Sequence, residues 1–170
     1  LHEASGRAGG PFVVADCAGL RPERAEAALF GDGEHPGWMR MAEGGTLLLA
    51  DVPALPLATQ HALAEALAVR QARSAEGKGP YPIDLRLVVT TRVPLGPLAE
   101  LGRVDAELAR WLDRAVVEVP PLRARAEDIP SLVLLALDRA CRVLGKETVG
   151  IAQGALDALL AHDWPGNLRE

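Results

Sequence analysis

GGTLLLADV, residues 44–52, sets three consecutive leucines between a glycine pair and an acid, Asp51. An unbroken apolar run bounded by turn residues reads as a strand buried on both faces, the habit of a parallel sheet. A carboxylate at the carboxyl end of such a strand stands where open α/β sheets receive their ligands. Directly after the leucines, however, comes Ala50, and the lone acid follows one residue later.

Outward from this strand the chain alternates between strand and helix. Upstream, residues 1–8 read as the tail of a helix stopped by Gly9, Gly10 and Pro11. PFVVADC (11–17) is a short apolar strand, 21–30 a helix with Pro22 suited to its first turn, and DGEHPG (32–37) a turn. Downstream, 57–71 is a helix whose Leu63, Leu67 and Val69, padded by alanines, suit packing on a sheet. A loop covers 74–82, and DLRLVVTT (84–91) is a second buried strand by pattern. A short helix over 104–113 and a strand at AVVEVP (115–120) complete the series. Strands alternating with helices argue an α/β domain with a parallel sheet flanked by helices.

Past Arg123 the texture becomes all-helical. Residues 129–144 form a strong helix, with Pro130 in its first turn and Gly145 as its stop. Residues 152–161 form a second, and WPGNLRE (164–170) opens a third. The expected division is an α/β core over 1–120 and a small helical subdomain over 121–170.

Composition narrows the function. With 170 residues, 49% of them apolar, the chain can bury one real core, built of Leu, Val and Ala because aromatics are only 4%. A net charge of −5 leaves no electrostatic footprint for nucleic acid, so DNA binding by this chain is not expected. Cys17 and Cys141 match no metal spacing and read as buried reduced thiols of a cytoplasmic protein. No apolar stretch approaches the ~18 residues that span a bilayer, and no signal peptide is visible. His2, His35, His61 and His162 share no metal spacing either. The chain opens without methionine and stops in a helix-like segment, which suggests a piece of something longer.

The order of motifs resembles the AAA+ domain of sigma-54-dependent transcription activators, the bacterial enhancer-binding proteins. The matching pieces are LHEASGRAGGPFVVADC (1–17), ALFG (28–31), GGTLLLADV, PLATQHALAEAL (56–67), DLRLVVTT, VPPLRARAEDIPSL (119–132) and DWPGNLRE (163–170). They run in family order over nearly the whole chain. The resemblance implies an AAA+ P-loop-NTPase-type core, a helical lid, and a ring-forming ATPase that remodels sigma-54 polymerase.

The departures from that pattern carry the functional reading. The family's P-loop precedes the segment at Leu1, so it and the central strand it follows lie outside this chain. GKG at 77–79 is no substitute, with Ala72 where the first glycine belongs and Gly79 where Ser or Thr is needed. The family's Walker B strand ends in Asp-Glu, the metal acid and the catalytic base. Here those positions are Ala50 and Asp51, and a methyl group cannot ligate Mg²⁺. Register opposes Asp51 as a replacement, because successive strand residues point to opposite faces. The family's sigma-54 contact loop, inserted between Phe30–Gly31 and Gly37, is absent, so that contact has no residues to carry it.

At the sensor position, where the family commonly has Asn or His, stands Arg92. The family's trans-acting arginines align with Asp105 and Trp111, and Arg103 and Arg110 would point elsewhere at ~100° per residue. Arg169 matches the lid's nucleotide-sensing arginine. By family position, then, Asp51, Arg92 and Arg169 are the vestigial nucleotide-binding residues. Catalytic and metal-binding residues are not expected.

Each of these has a plainer alternative: Asp51 as a strand-end or cap residue, Arg169 as a lid-packing residue. Trp164 reads as a hydrophobic staple, and Glu127 and Asp128 as helix N-terminal acids. An arginine finger alone is worth ~10³–10⁵ in rate. Micromolar affinity needs about 8 kcal/mol, against ~1 kcal/mol or less from an exposed charge contact. The expectation is a degenerate domain in transcription regulation that neither hydrolyses ATP nor touches sigma-54, with no cofactor. Its expected partners are flanking domains or related AAA+ subunits, and no membrane. The alternative is an ATP-hydrolysing activator, using ATP and Mg²⁺, whose P-loop lies upstream. A third is a decaying domain without a partner.

Overall fold

The computed structural model describes residues 1–73, 79–147 and 150–170. Most of the expected 74–82 loop, including Gly77 and Lys78 of the GKG stretch, lies outside the described residues. The chain divides into two compact units, Leu1–Val116 and Val117–Glu170.

In chain order the first unit holds β1 (Phe12–Asp16), α1 (Ala25–Phe30), α2 (Trp38–Met41), β2 (Thr46–Ala50) and α3 (Leu57–Val69). After these come β3 (Gln71–Ala72), β4 (Tyr81–Pro82), β5 (Arg86–Val89), α4 (Leu95–Glu100) and α5 (Ala106–Leu112). The leucine strand β2 is the middle of a three-stranded sheet ordered β1-β2-β5, parallel throughout. Its register sets Val14 beside Leu48 beside Val88, and Asp16 beside Ala50. β3 and β4 form a separate antiparallel pair.

Side chains alternate between the faces of a strand, and the two faces of this sheet fare differently. Leu47 and Leu49 are fully buried in one cluster with Ala25 and Leu29 of α1, Leu63 and Ala64 of α3, Leu98 of α4 and Leu108 of α5. On the other face Leu48 and Val88 are half-buried, while Phe12 and Val14 are 51% and 59% exposed. Burial on both faces of the 44–52 and 84–91 strands, expected from their unbroken apolar runs, is therefore not found. Helices cover one face, and only the amino-terminal turns reach the other. There His2 Nδ1 lies 3.0 Å from Thr46 Oγ1, and the His2 ring stacks on Phe12 with centroids 5.1 Å apart. Arg7 pairs with the Asp84 carboxylate.

Those turns replace the helix expected over residues 1–8. Ser5, Ala8 and Gly10 donate their N–H groups to carbonyls three residues back, and no helix forms. The Ser5 hydroxyl donates to the His2 carbonyl and accepts from the Arg7 N–H, the local bonding by which serine competes with helix. The 115–120 strand is also missing: these residues are exposed and irregular, with Val116, Val117 and Val119 71–80% exposed. A strand exists through its ladder, and among the described strands none pairs with this run.

The remaining helices follow local signals. Asp105 caps α5 by accepting the Leu108 N–H at 2.8 Å. Gln60, 1% exposed, ties α3 to that cap: Nε2 donates to the Leu55 carbonyl and Oε1 accepts the Asp105 N–H at 2.9 Å. At Gly45 the ladder entrance is so tight that a Cβ would lie 1.9 Å from the Pro11 carbonyl oxygen.

The second unit contains α6 (Ile129–Leu144), opened by Pro130 and stopped by Gly145 at φ 64°, and α7 (Gln153–Leu160). The expected third helix is only a 3₁₀ turn, Asn167–Arg169. Trp164 does not staple it. At φ 50° its indole N–H donates back to the Leu159 carbonyl at 2.8 Å, and Asn167 Oδ1 accepts the Leu122 N–H.

Candidate functional site at the carboxyl end of the sheet

Because β1, β2 and β5 run parallel, their carboxyl ends open on one edge, bringing together Asp16, Ala50–Asp51 and Thr90–Arg92. Backbone bonds lock the edge. Cys17 N–H donates to the Ala50 carbonyl, Thr90 N–H to the Leu49 carbonyl, and Val52 N–H to the Thr90 carbonyl, at 3.0, 3.0 and 3.1 Å.

Asp51 leaves the strand in the left-handed conformation, φ 57° and ψ 54°, at the N-cap position of the 3₁₀ turn Val52–Ala54, with no hydrogen bond from its carboxylate to the turn. Aspartate tolerates this region better than most residues. Its N–H donates to Thr90 Oγ1 at 3.1 Å, while its carboxylate Oδ2 lies 3.9 Å from Arg92 Nε. Asp51 thus stands at the strand end and the start of the turn, with its carboxylate outside the cap. The ion pair is weak, since the Arg92 side chain is 84% exposed.

Of the three residues expected by family position, the structure pairs Asp51 with Arg92. Arg169 belongs to the second unit, in the 3₁₀ turn that follows Gly166. Asp105 and Trp111, aligned with the family's trans-acting arginines, serve structure instead. Asp105 is the α5 cap, and the Arg114 guanidinium stacks over the Trp111 ring at 4.0 Å. Arg110 pairs along its own helix with Glu107 at 3.1 Å.

Two edge residues escaped the sequence reading. Asp16 stands directly across the ladder from Ala50, its Oδ1 accepting the Ala18 N–H at 3.0 Å. Thr90 positions the Asp51 backbone. The signal for Asp16 was present, an acid closing the apolar FVVAD run as Asp51 follows LLLA. Between these acids, burial pushes the Cys17 thiol up from 9.0 to about 11, with Asp16 and Asp51 adding to the effect. That thiol is a protonated core group with no nucleophilic character at neutral pH.

Magnesium in nucleotide sites uses one or two carboxylates together with substrate phosphates. Ala50 offers no oxygen, and Asp51 faces a cation. Among the described residues no group of three or more His, Cys, Asp or Glu side chains is placed to hold a metal.

On the neighbouring α1–α2 connection the chain closes on itself. Gly31, at φ 91°, bridges to Pro36, and Asp32 Oδ1 accepts the N–H groups of Glu34 and His35 at 3.2 and 2.8 Å. The His35 backbone N–H is the main reason the Asp32 carboxyl sits below its ordinary 3.8. A Cβ on Gly37 would fall 2.2 Å from the Gly31 nitrogen, so the backbone crosses itself here and projects no loop.

Residues 1–118 match the family described as the sigma-54 interaction domain, and 123–170 match the AAA+ ATPase lid domain. The nitrogen assimilation regulatory protein NtrX of Azorhizobium caulinodans is 37% identical over all of this chain, which spans 39% of that protein. The transcriptional regulatory protein XylR of Pseudomonas putida is 35% identical over all of this chain, which spans 32% of it. Crystal structures of NtrX from Brucella abortus in complex with ADP and with ATP superpose on 98% of this chain. In both, the TM-score is 0.90 and the identity 36%, over 38% of the NtrX chain. This chain therefore spans less than two fifths of each of these relatives. Among the described residues no helix is long and apolar enough to cross a membrane.

Proposed function

Because the chain belongs to the sigma-54 interaction domain family, an AAA+ fold with a helical lid, we propose that it is a regulatory or assembly module of a cytoplasmic transcription regulator. In this reading it neither turns over ATP nor grips sigma-54, and it works by packing against flanking domains or related AAA+ subunits. The observation that carries the proposal is the end of β2. Ala50 stands where the resemblance puts the family's metal acid, and the Asp51 carboxylate lies against the Arg92 guanidinium. The closed Gly31–Gly37 turn supports the second half, since nothing there projects toward a polymerase.

The test is ATP turnover by a longer form of the protein that includes the residues preceding Leu1. The expected rate is background, unchanged by Asp51→Ala. Turnover that this substitution abolishes would overturn the proposal and favour the ATP-hydrolysing activator.

A second reading keeps the nucleotide as a bound ligand. It is favoured by the ADP and ATP complexes of Brucella abortus NtrX, whose chain superposes on nearly all of this one. In it, upstream residues cradle the phosphates, while Asp51 and Arg92 of this chain supply charge at the carboxyl end of β2. Calorimetry with a non-hydrolysable ATP analogue distinguishes the two readings. Heat of binding that Arg92→Ala diminishes supports the second, and no heat supports the first.

A further inference from the structure

We propose that a cavity at α1 and α2 is a docking site for an acidic protein segment carrying an apolar anchor side chain. The cavity holds about 420 Å³ and is lined in part by Trp38 and Met41 of α2, Ala28 of α1, and Arg21 and Arg24 just before α1. That volume is in the range of a site that takes one or two side chains or a small ligand. Its apolar part is partly open to solvent, with Met41 51% exposed and Trp38 half-buried.

Charge selects the occupant. Among the described residues neither Arg21 nor Arg24 has an ion-pair partner, as is true of several other exposed arginines, but these two line the same cavity. The one acid in the lining, Asp32, is engaged by the His35 and Glu34 N–H groups and by the His35 ring at 3.5 Å. Glu23, between the two arginines in sequence, does not line the cavity. The lining thus carries two guanidiniums against one carboxylate, a small positive excess in a chain of net charge −5, which favours a carboxylate over a basic group there. Trp, Met and Arg are also the residue types enriched in the buried centres of protein interfaces. A nucleic acid is disfavoured. Two guanidiniums without a basic stripe neutralise little of a polyanion, and the overall charge opposes it.

The probe is a short fluorescein-labelled amphipathic peptide of Glu, Leu and Ala, titrated with the 170-residue chain and followed by anisotropy. Binding is expected to weaken with added salt and to fall about tenfold or more in the Arg21→Glu/Arg24→Glu double variant. Both positions are exposed, and circular dichroism confirms that the variant is folded. Met41→Ser is expected to weaken binding while leaving the salt dependence unchanged, because it removes anchor contact and no charge. The matching Lys-Leu-Ala peptide is expected not to bind. Equal binding of the two peptides, or indifference to the charge reversal, overturns the proposal. So does preferential binding of single-stranded oligothymidylate. Sedimentation showing self-association lost in the same double variant would assign the cavity to a second copy and overturn it likewise.

Discussion

Asp51 and Cys17 show how the carboxyl edge of this sheet holds its ionisable groups. Asp51 adopts a backbone conformation that most residues avoid, held by Thr90, and its carboxylate meets only an exposed guanidinium. Cys17, 1% exposed beside it, is held protonated to about pH 11. A thiol whose folded-state value is raised contributes stability that is intact below 9.0 and lost as pH rises toward 11. Stability of the wild type is therefore expected to fall over that interval more steeply than that of Cys17→Ala, read from urea midpoints. Mass-mapped alkylation with iodoacetamide at pH 8 is expected to leave Cys17 unmodified in the folded protein. Rapid labelling there would show that the thiol is exposed or ionised.

At the scale of elements, β2 and the α3–α5 corner carry separate predictions. Leu49 is fully buried under the helices, and Leu48, its neighbour, points to the open face. Leu49→Ala is expected to cost about 3 kcal/mol, and Leu48→Ala roughly 1 kcal/mol, because only the first leaves a cavity. Equal losses in chemical denaturation would mean that the second face is covered in solution. At the corner, Asp105 caps α5 and also meets His61 Nδ1 at 3.2 Å. Partial burial raises its carboxyl, but the Leu108 N–H, His61 and the Glu107 N–H outweigh that and hold it below 3.8. A depressed carboxylate contributes stability above its unfolded value, lost as pH falls through the folded one. Asp105→Ala is expected to lose about 1 kcal/mol at pH 7, and the gap to the wild type should close below pH 3.8. A gap that persists in acid would assign the effect to packing.

The whole molecule is two units joined through an exposed stretch with no ladder of its own. Residues 113–120 lack helix and strand and are exposed throughout. Trypsin is expected to cut after Arg114 before it cuts after Arg139 or Arg142 within α6. Earlier cleavage inside α6 would show the second unit to be the weaker fold. The apolar composition of 115–120 remains that of a strand, and the relatives are far longer than this chain. In a longer form of the protein these residues are expected to gain hydrogen-exchange protection. Unchanged exchange would mean that they are a linker in every context.

Periodicity, glycine and proline signals and motif order were enough to place β1, β2, β5 and the helices α3, α5, α6 and α7. Each of those elements is specified by its own residues, such as the leucine triplet, the Asp105 cap, Pro130 or Gly145. The alanine between the leucines and Asp51 was equally legible, because identity at one position needs no coordinates. What depended on tertiary structure was everything set by a neighbour. Residues 115–120 have strand composition but no partner, Leu48 has core chemistry but no helix above it, and residues 1–8 bond locally into turns. Asp16 joined the candidate site only when the parallel register laid it beside Ala50. A ladder and a buried face are properties of pairs, so one strand's sequence states what it can offer and only the packed sheet decides what it meets.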